Sequence, residues 1–139
     1  MYGKILITLD TTATDRAILD HIRPLAKLHQ SRIVLLHVAD GWAARTYGPD
    51  AVSAEVSEDR AYLDRIKSEL AAEGLAVEVH LAYGDPVTEI VRWVNQEGCD
   101  LIAMSTHGHR FLQDLIYGTT ATRVQHRVTV PVLLLRATA

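Results

Sequence analysis

Short apolar runs alternate along the chain with longer segments whose hydrophobic residues recur at helical spacing. Ile5 to Leu9 is apolar but for Thr8, and the turn signal Asp10-Thr11-Thr12 follows it, which predicts a short buried strand. A helix comes next, with Ile18, Ile22, Leu25 and Ala26 on one stripe and Arg16, Asp20, Arg23 and Lys27 opposite. Pro24 lies inside that pattern and is expected to kink it. Ile33 to Val38 predicts a second strand, Asp40 to about Ser53 a Gly- and polar-rich connection, and Leu63, Ile66 and Leu70 a second amphipathic helix. Val77 to Leu81 alternates as a third strand. Gly84-Asp85-Pro86 reads as a helix start, with Asp85 capping and Pro86 at the first helical position, ahead of a buried face at Val87, Ile90, Val91 and Val94. Leu101 to Met104 predicts a fourth strand, Gly118 to about Arg127 a fourth helix, and Val132 to Leu135 a fifth strand.

Strands alternating with helices predict right-handed βαβ units and a mainly parallel sheet covered on both faces. The near-continuous apolar strands agree, since parallel strands are buried on both sides. The fold class is therefore α/β, a single domain over residues 1–139. Two connections are unusually long, Asp40 to Ser53 and Thr106 to Tyr117. Loops near a dozen residues are commonly functional, and both follow the C-terminal ends of strands, where open α/β sheets place ligands.

Composition narrows the function. At 139 residues the chain fits one domain, which buries roughly 68% of its unfolded surface and needs no staples. A net charge of −3 argues against non-specific nucleic-acid binding, which leans on a dense basic surface. Cys99 is the only cysteine, so no intramolecular disulfide forms, and beside the Leu101 to Met104 run it reads as a small buried hydrophobe. The apolar run after Lys4 is too short for a signal peptide, and no stretch nears the ~18 apolar residues of a membrane span. A cytoplasmic location is expected.

The candidate chemistry lies between Ser105 and Thr120. The fourth strand runs into Ser105-Thr106-His107-Gly108-His109-Arg110, and Gly118-Thr119-Thr120 opens the last helix. Gly108 frees the backbone for positive φ and for close approach of a phosphate. Gly118 and the threonines place amide N–H groups and hydroxyls at a helix N-terminus, which attracts anions. Spacing by itself fits equally a turn at Gly108 and a threonine-capped helix start. It is neither a Walker A loop nor Gly-x-Gly-x-x-Gly.

The ordered set of segments resembles the universal stress protein family, whose nucleotide-binding members carry Gly-x2-Gly-x9-Gly-Ser/Thr. Ser105 takes the first glycine position, Gly108 the second, Gly118 the third and Thr119 the hydroxyl position. Lys4-Ile5-Leu6-Ile7-Thr8-Leu9-Asp10 looks like the family's opening strand and Leu35-Leu36-His37-Val38 like its second. Gly84-Asp85-Pro86 resembles the lead into its third helix, and Val130 to Arg136 is similar to its closing strand. The resemblance implies a Rossmann-like sheet of order 3-2-1-4-5 and an adenine nucleotide, ATP in the first instance, with Mg²⁺ or Mn²⁺. Its contacts would fall on Leu9, Asp10, Val38, Met104, Ser105, His107, Gly108, His109, Arg110, Gly118, Thr119 and Thr120. Among these, Asp10 would meet the ribose, the Val38 backbone the adenine, and the glycine loop with Thr119 and Thr120 the phosphates. It also implies a stress or regulatory role and a homodimer paired through Val132 to Leu135, an apolar edge that would be exposed in a monomer.

Other features carry plainer readings. Thr106-His107-Gly108-His109 contains the Thr-x-Gly-His of nucleotidyltransferases, but after the wrong strand. His107 and His109 do not supply the three or four ligands of a zinc site. His37 reads as a hydrogen-bonded core histidine, Asp10 can also cap a turn through Thr11 and Thr12, and Glu55 to Lys67 reads as a solvated helix face. Trp42 and Tyr47 suit a lid, a contact surface or simple loop packing. No residue stands out to position an attacking water, so at most slow ATP hydrolysis is expected. The rivals are a dimeric interaction module that binds no nucleotide, and a slow ATPase or phosphotransferase.

Overall fold

A computed structural model describes residues 1–39, 49–105 and 120–136. Its strands are β1 (Lys4–Thr8), β2 (Arg32–Ala39), β3 (Ala76–Tyr83), β4 (Leu101–Ser105) and β5 (Val132–Leu135). The helices are α1 (Asp15–His29), α2 (Pro49–Ala71) and α3 (Pro86–Glu97), with a further helical stretch at residues 120–125. All pairings are parallel and the sheet order is β3-β2-β1-β4-β5, as the resemblance implied.

Period-two alternation sends each central strand's side chains to two separate cores. Ile5, Ile7, Ile33, Leu35, Leu101 and Ala103 face α1 and α2, where they meet Ile18, Ile22, Leu63 and Leu70. Leu6, Val34, Leu36, Ile102 and Met104 face the other way, onto Val87, Ile90 and Val94 of α3 and Ala121 and Val124. Both faces of β1, β2 and β4 are thus dry, which is why their sequences read as unbroken apolar runs.

The helix ends follow local rules. Asp85 accepts the Thr88 N–H at 2.9 Å, Pro86 sits in the first turn, and Gly98 closes α3 at φ +67°. Helix α1 runs unbroken through Pro24, which lacks only the N–H that would have met the Asp20 carbonyl. Two sequence boundaries are corrected. α2 begins at Pro49, four residues inside the expected connection, because proline suits a first helical position. The last helix gives way to a turn at residues 126–127, closed by Arg127 N–H on the Val124 carbonyl, before the expected end at Arg127. Among the described residues no helix is long and apolar enough to cross a membrane.

Candidate functional site

The chain leaves β1 to one side for β2 and returns to the other side for β4, so the topological switch lies between β1 and β4. Register pairs Ile7 with Ala103, which brings Asp10 and Ser105 to the two flanks of the crevice just past the paired stretch.

The β1–α1 segment is held from both sides. Asp10 Oδ1 accepts the Thr12 N–H at 2.9 Å and the Thr12 hydroxyl at 2.6 Å, while Oδ2 accepts the Thr14 hydroxyl at 3.0 Å. Asp10 therefore caps the turn through Thr12 and Thr14 rather than Thr11 and Thr12, and these bonds fix the direction of the half-exposed carboxylate. From beneath, the Asp10 N–H donates to Asp15 Oδ1 at 2.9 Å and the Thr11 N–H to Asp15 Oδ2 at 3.0 Å. Thr11 adopts φ +66°, an uncommon conformation for a β-branched residue. Asp15 is 2% exposed, and its third partner is the Tyr62 hydroxyl at 2.7 Å. Burial, with the charge of Asp10 behind it, pushes the Asp15 carboxyl up to about 7, against the pull of its donors. Burial likewise pushes the Tyr62 phenol upward, and its bond to Asp15 adds to that.

His37 sits beside this segment. Its Nδ1 lies 2.8 Å from the Leu9 carbonyl, which can only accept, so Nδ1 carries a hydrogen. Its Nε2 faces Asp59 Oδ2 at 3.5 Å. The expectation of a bonded core histidine is met. Asp59 departs from the expected solvated helix face: it is 9% exposed, and burial raises its pKa while His37 opposes the rise. Asp15, Tyr62 and Asp59 are the residues of this region that sequence reasoning missed.

Backbone alternation bears on Val38. The Leu36 carbonyl accepts the Leu9 N–H on the β1 side, and the Ala39 carbonyl accepts the Gly84 N–H on the β3 side. Val38, two residues from Leu36, thus points its amide and carbonyl to the side on which β1 has ended at Thr8. Leu9 and Met104 have side chains 4% and 3% exposed and sunk in opposite cores, so each meets the crevice through backbone alone. For Leu9 the N–H and carbonyl already have partners in Leu36 and His37. Ser105 Oγ, at the end of β4, is buried and has no hydrogen-bond partner among the described residues. Thr120, 9% exposed, begins the helical stretch on the β4 side. The expected contacts at His107, Gly108, His109, Arg110, Gly118 and Thr119 lie outside the described residues, as do Trp42 and Tyr47.

A second polar cluster lies at the opposite, N-terminal edge of the sheet. Lys4 Nζ is 2.9 Å from Glu97 and 3.5 Å from Glu78, and His80 Nε2 is 3.0 Å from Glu97. His80 also stacks on Trp93 at 4.0 Å between ring centroids. Three ligand-type side chains meet here, but the Lys4 ammonium already supplies them with a cation.

Comparison with known proteins places this architecture. Universal stress protein MJ0577 of Methanocaldococcus jannaschii is 28% identical over 155 residues, spanning 98% of this chain and 96% of that protein. Universal stress protein YxiE of Bacillus subtilis is 28% identical over 148 residues, spanning 98% and 100%. A solved structure of MJ0577 superposes with a TM-score of 0.84 at 28% identity, covering 100% of this chain and 99% of that one. The same fold recurs in a universal stress protein from Archaeoglobus fulgidus in complex with dAMP, with a TM-score of 0.71 at 22% identity over 97% and 98% of the two chains. It recurs also in a universal stress protein in complex with cAMP, with a TM-score of 0.71 at 17% identity over 99% and 98%. The sequence profile of the universal stress protein family matches residues 1–136, and the chain belongs to that family.

Proposed function

We propose that this protein binds an adenine nucleotide, ATP or a close relative of it, in the crevice between β1 and β4, and acts by holding it in a cytoplasmic stress or regulatory response. The observation that carries the reading is the Ser105 hydroxyl, buried at the topological switch point with no partner among the described residues. Two further groups suit the same ligand. Asp10 offers a fixed carboxylate for ribose hydroxyls, and Val38 offers a backbone amide and carbonyl for the edge of an adenine. The phosphates, with Mg²⁺ or Mn²⁺, would then run toward Gly108, Gly118, Thr119 and Thr120. The dAMP and cAMP held by two proteins of this fold support the adenine class of ligand.

The roles divide by chemistry. Asp10 accepts from a sugar, Val38 both donates and accepts along a base edge, and the backbone N–H groups at Gly118 and Thr119 would donate to phosphate. Serine at Ser105 adds a donor where the family motif has glycine. Binding without dedicated turnover is the expected behaviour. A homodimer through Val132–Leu135 belongs to the same reading, since β5 is an outer strand and Leu134 is 40% exposed on it. Sedimentation equilibrium at micromolar protein reads the dimer.

Calorimetry with ATP and Mg²⁺, on protein stripped of carried-over ligand, tests the nucleotide. Saturable binding is expected, and no heat at millimolar ATP would sink the reading. Gly118→Ala should weaken ATP about tenfold, roughly 1.4 kcal/mol, without altering the unfolding midpoint. An unchanged affinity would remove the phosphate role from Gly118.

A further inference from the structure

Two side chains of α2, Asp59 and Tyr62, lie three residues apart and reach the same stretch of backbone through one intermediary each. Tyr62 donates to Asp15, and Asp15 accepts the N–H groups of Asp10 and Thr11. Asp59 faces His37 at 3.5 Å, and His37 donates to the Leu9 carbonyl. The Tyr62 hydroxyl also lies 3.4 Å from the Thr12 carbonyl. Backbone groups of Leu9, Asp10, Thr11 and Thr12 are therefore tied, directly or through one side chain, to a single helix.

We propose that Tyr62 and Asp59 form a two-point latch by which α2 sets the conformation of the Leu9–Thr12 segment, and so the affinity of Asp10 for the ribose of a nucleotide. The ligand half of this inference rests on the nucleotide reading above; the latch itself does not. Neither residue touches the ligand, so both are positioning residues.

The physical case has three parts. The first is strain. Thr11 at φ +66° is costly for a β-branched residue and persists only where its surroundings over-determine it. The Asp15 bond to its N–H is such a determinant. The second is proton count. With a hydrogen on Nδ1, a neutral His37 would aim a bare Nε2 lone pair at a carboxylate oxygen. The contact is attractive only when one proton is held between His37 and Asp59, on either the ring or the carboxyl. The third is direction. Asp10 is bonded by Thr12 and Thr14 on its carboxylate and by Asp15 on its amide, so a shift of Asp15 turns the carboxylate relative to the crevice. Among the described residues the charged and titratable groups around the latch are Asp10 and Arg16 near Asp15 and Tyr62, Arg65 over the Tyr62 ring at 5.7 Å, and Glu58 beside Asp59.

The test begins without nucleotide. Tyr62→Phe keeps the ring and deletes the donor; Asp59→Asn breaks the other point; Asp64→Asn, on the exposed side of α2, is the control. The amide ¹⁵N–¹H shifts of Asp10 and Thr11 are followed from pH 5 to 9 by NMR. In Tyr62→Phe these amides should move, and the pH midpoint they report should rise, because a donor to the Asp15 carboxylate is gone. A merely structural loss would lower stability and leave that midpoint in place. Calorimetry with AMP then reads the ligand half: both variants should bind five- to tenfold more weakly than wild type, and the control equally well. If the Asp10 and Thr11 amides keep wild-type positions and midpoint in both variants, the latch is refuted. If they move while AMP affinity holds, the link to the site is refuted. A wild type that binds no nucleotide overturns the nucleotide reading and the affinity claim with it, and the ligand-free arm still decides the latch.

Discussion

Asp15 sets two physical effects against each other, and their balance can be measured. Burial at 2% exposure and the neighbouring Asp10 charge favour the protonated carboxyl, while two backbone N–H groups and the Tyr62 hydroxyl favour the carboxylate. The first side prevails, since the carboxyl rises from 3.8 to about 7. The folded state then binds more protons than the unfolded chain between those values, so stability falls as pH rises through that window. At about 1.36 kcal/mol per unit the whole window is worth on the order of 4 kcal/mol, fully present below pH 4 and lost by the upper end. Asp15→Asn removes the titration while keeping the shape. Urea unfolding of both proteins at half-unit steps from pH 4.5 to 8, followed by circular dichroism, isolates the effect, because other groups cancel in the difference. The variant should be at its greatest disadvantage at low pH and should gain on wild type as pH rises. Parallel profiles would show that Asp15 titrates alike in both states. A wild type that gains on the variant would show that the three donors outweigh burial, and the reasoning would be refuted.

Two further measurements probe the frame that carries the site. Asp85→Ala removes the α3 cap and should cost about 1 kcal/mol in urea unfolding at pH 7, within the range of such caps. The Thr88 N–H and hydroxyl hold the Asp85 carboxyl below its ordinary value, so the wild-type advantage is present above the carboxylate range and lost as pH falls through it. Cys99 is 5% exposed, and burial pushes its thiol up to about 11. A dithiobis-nitrobenzoate reagent at pH 8 should label it at the rate of unfolding in buffer and within seconds in urea; immediate labelling of the native protein would contradict its place in the core.

The frame was legible because its signals are local. Gly84-Asp85-Pro86 specifies a helix start by capping geometry alone, and Val132–Leu135 needs no more than an apolar run after a proline. Strand order was legible only through the family resemblance, because β1 and β4 pair Ile5 with Leu101 and no local rule reaches that far. What escaped was polar and buried. Asp59 falls in a stretch that reads as a solvated helix face and Asp15 drew no reading, yet both stand on the apolar stripe of their helix. Asp15, Leu19, Ile22 and Ala26 share one spacing in α1, and Asp59, Leu63, Ile66 and Leu70 repeat it in α2, each carboxylate one turn ahead of the buried hydrophobes. Such a position puts an acid against the end of the sheet, where strand backbone has run out of partners of its own. In a helix that crosses from the C-terminal edge of a parallel sheet, that edge is where ligands bind. A carboxylate heading the buried stripe is therefore a sequence signal for a buried acid at that edge, and Asp15 and Asp59 both carry it.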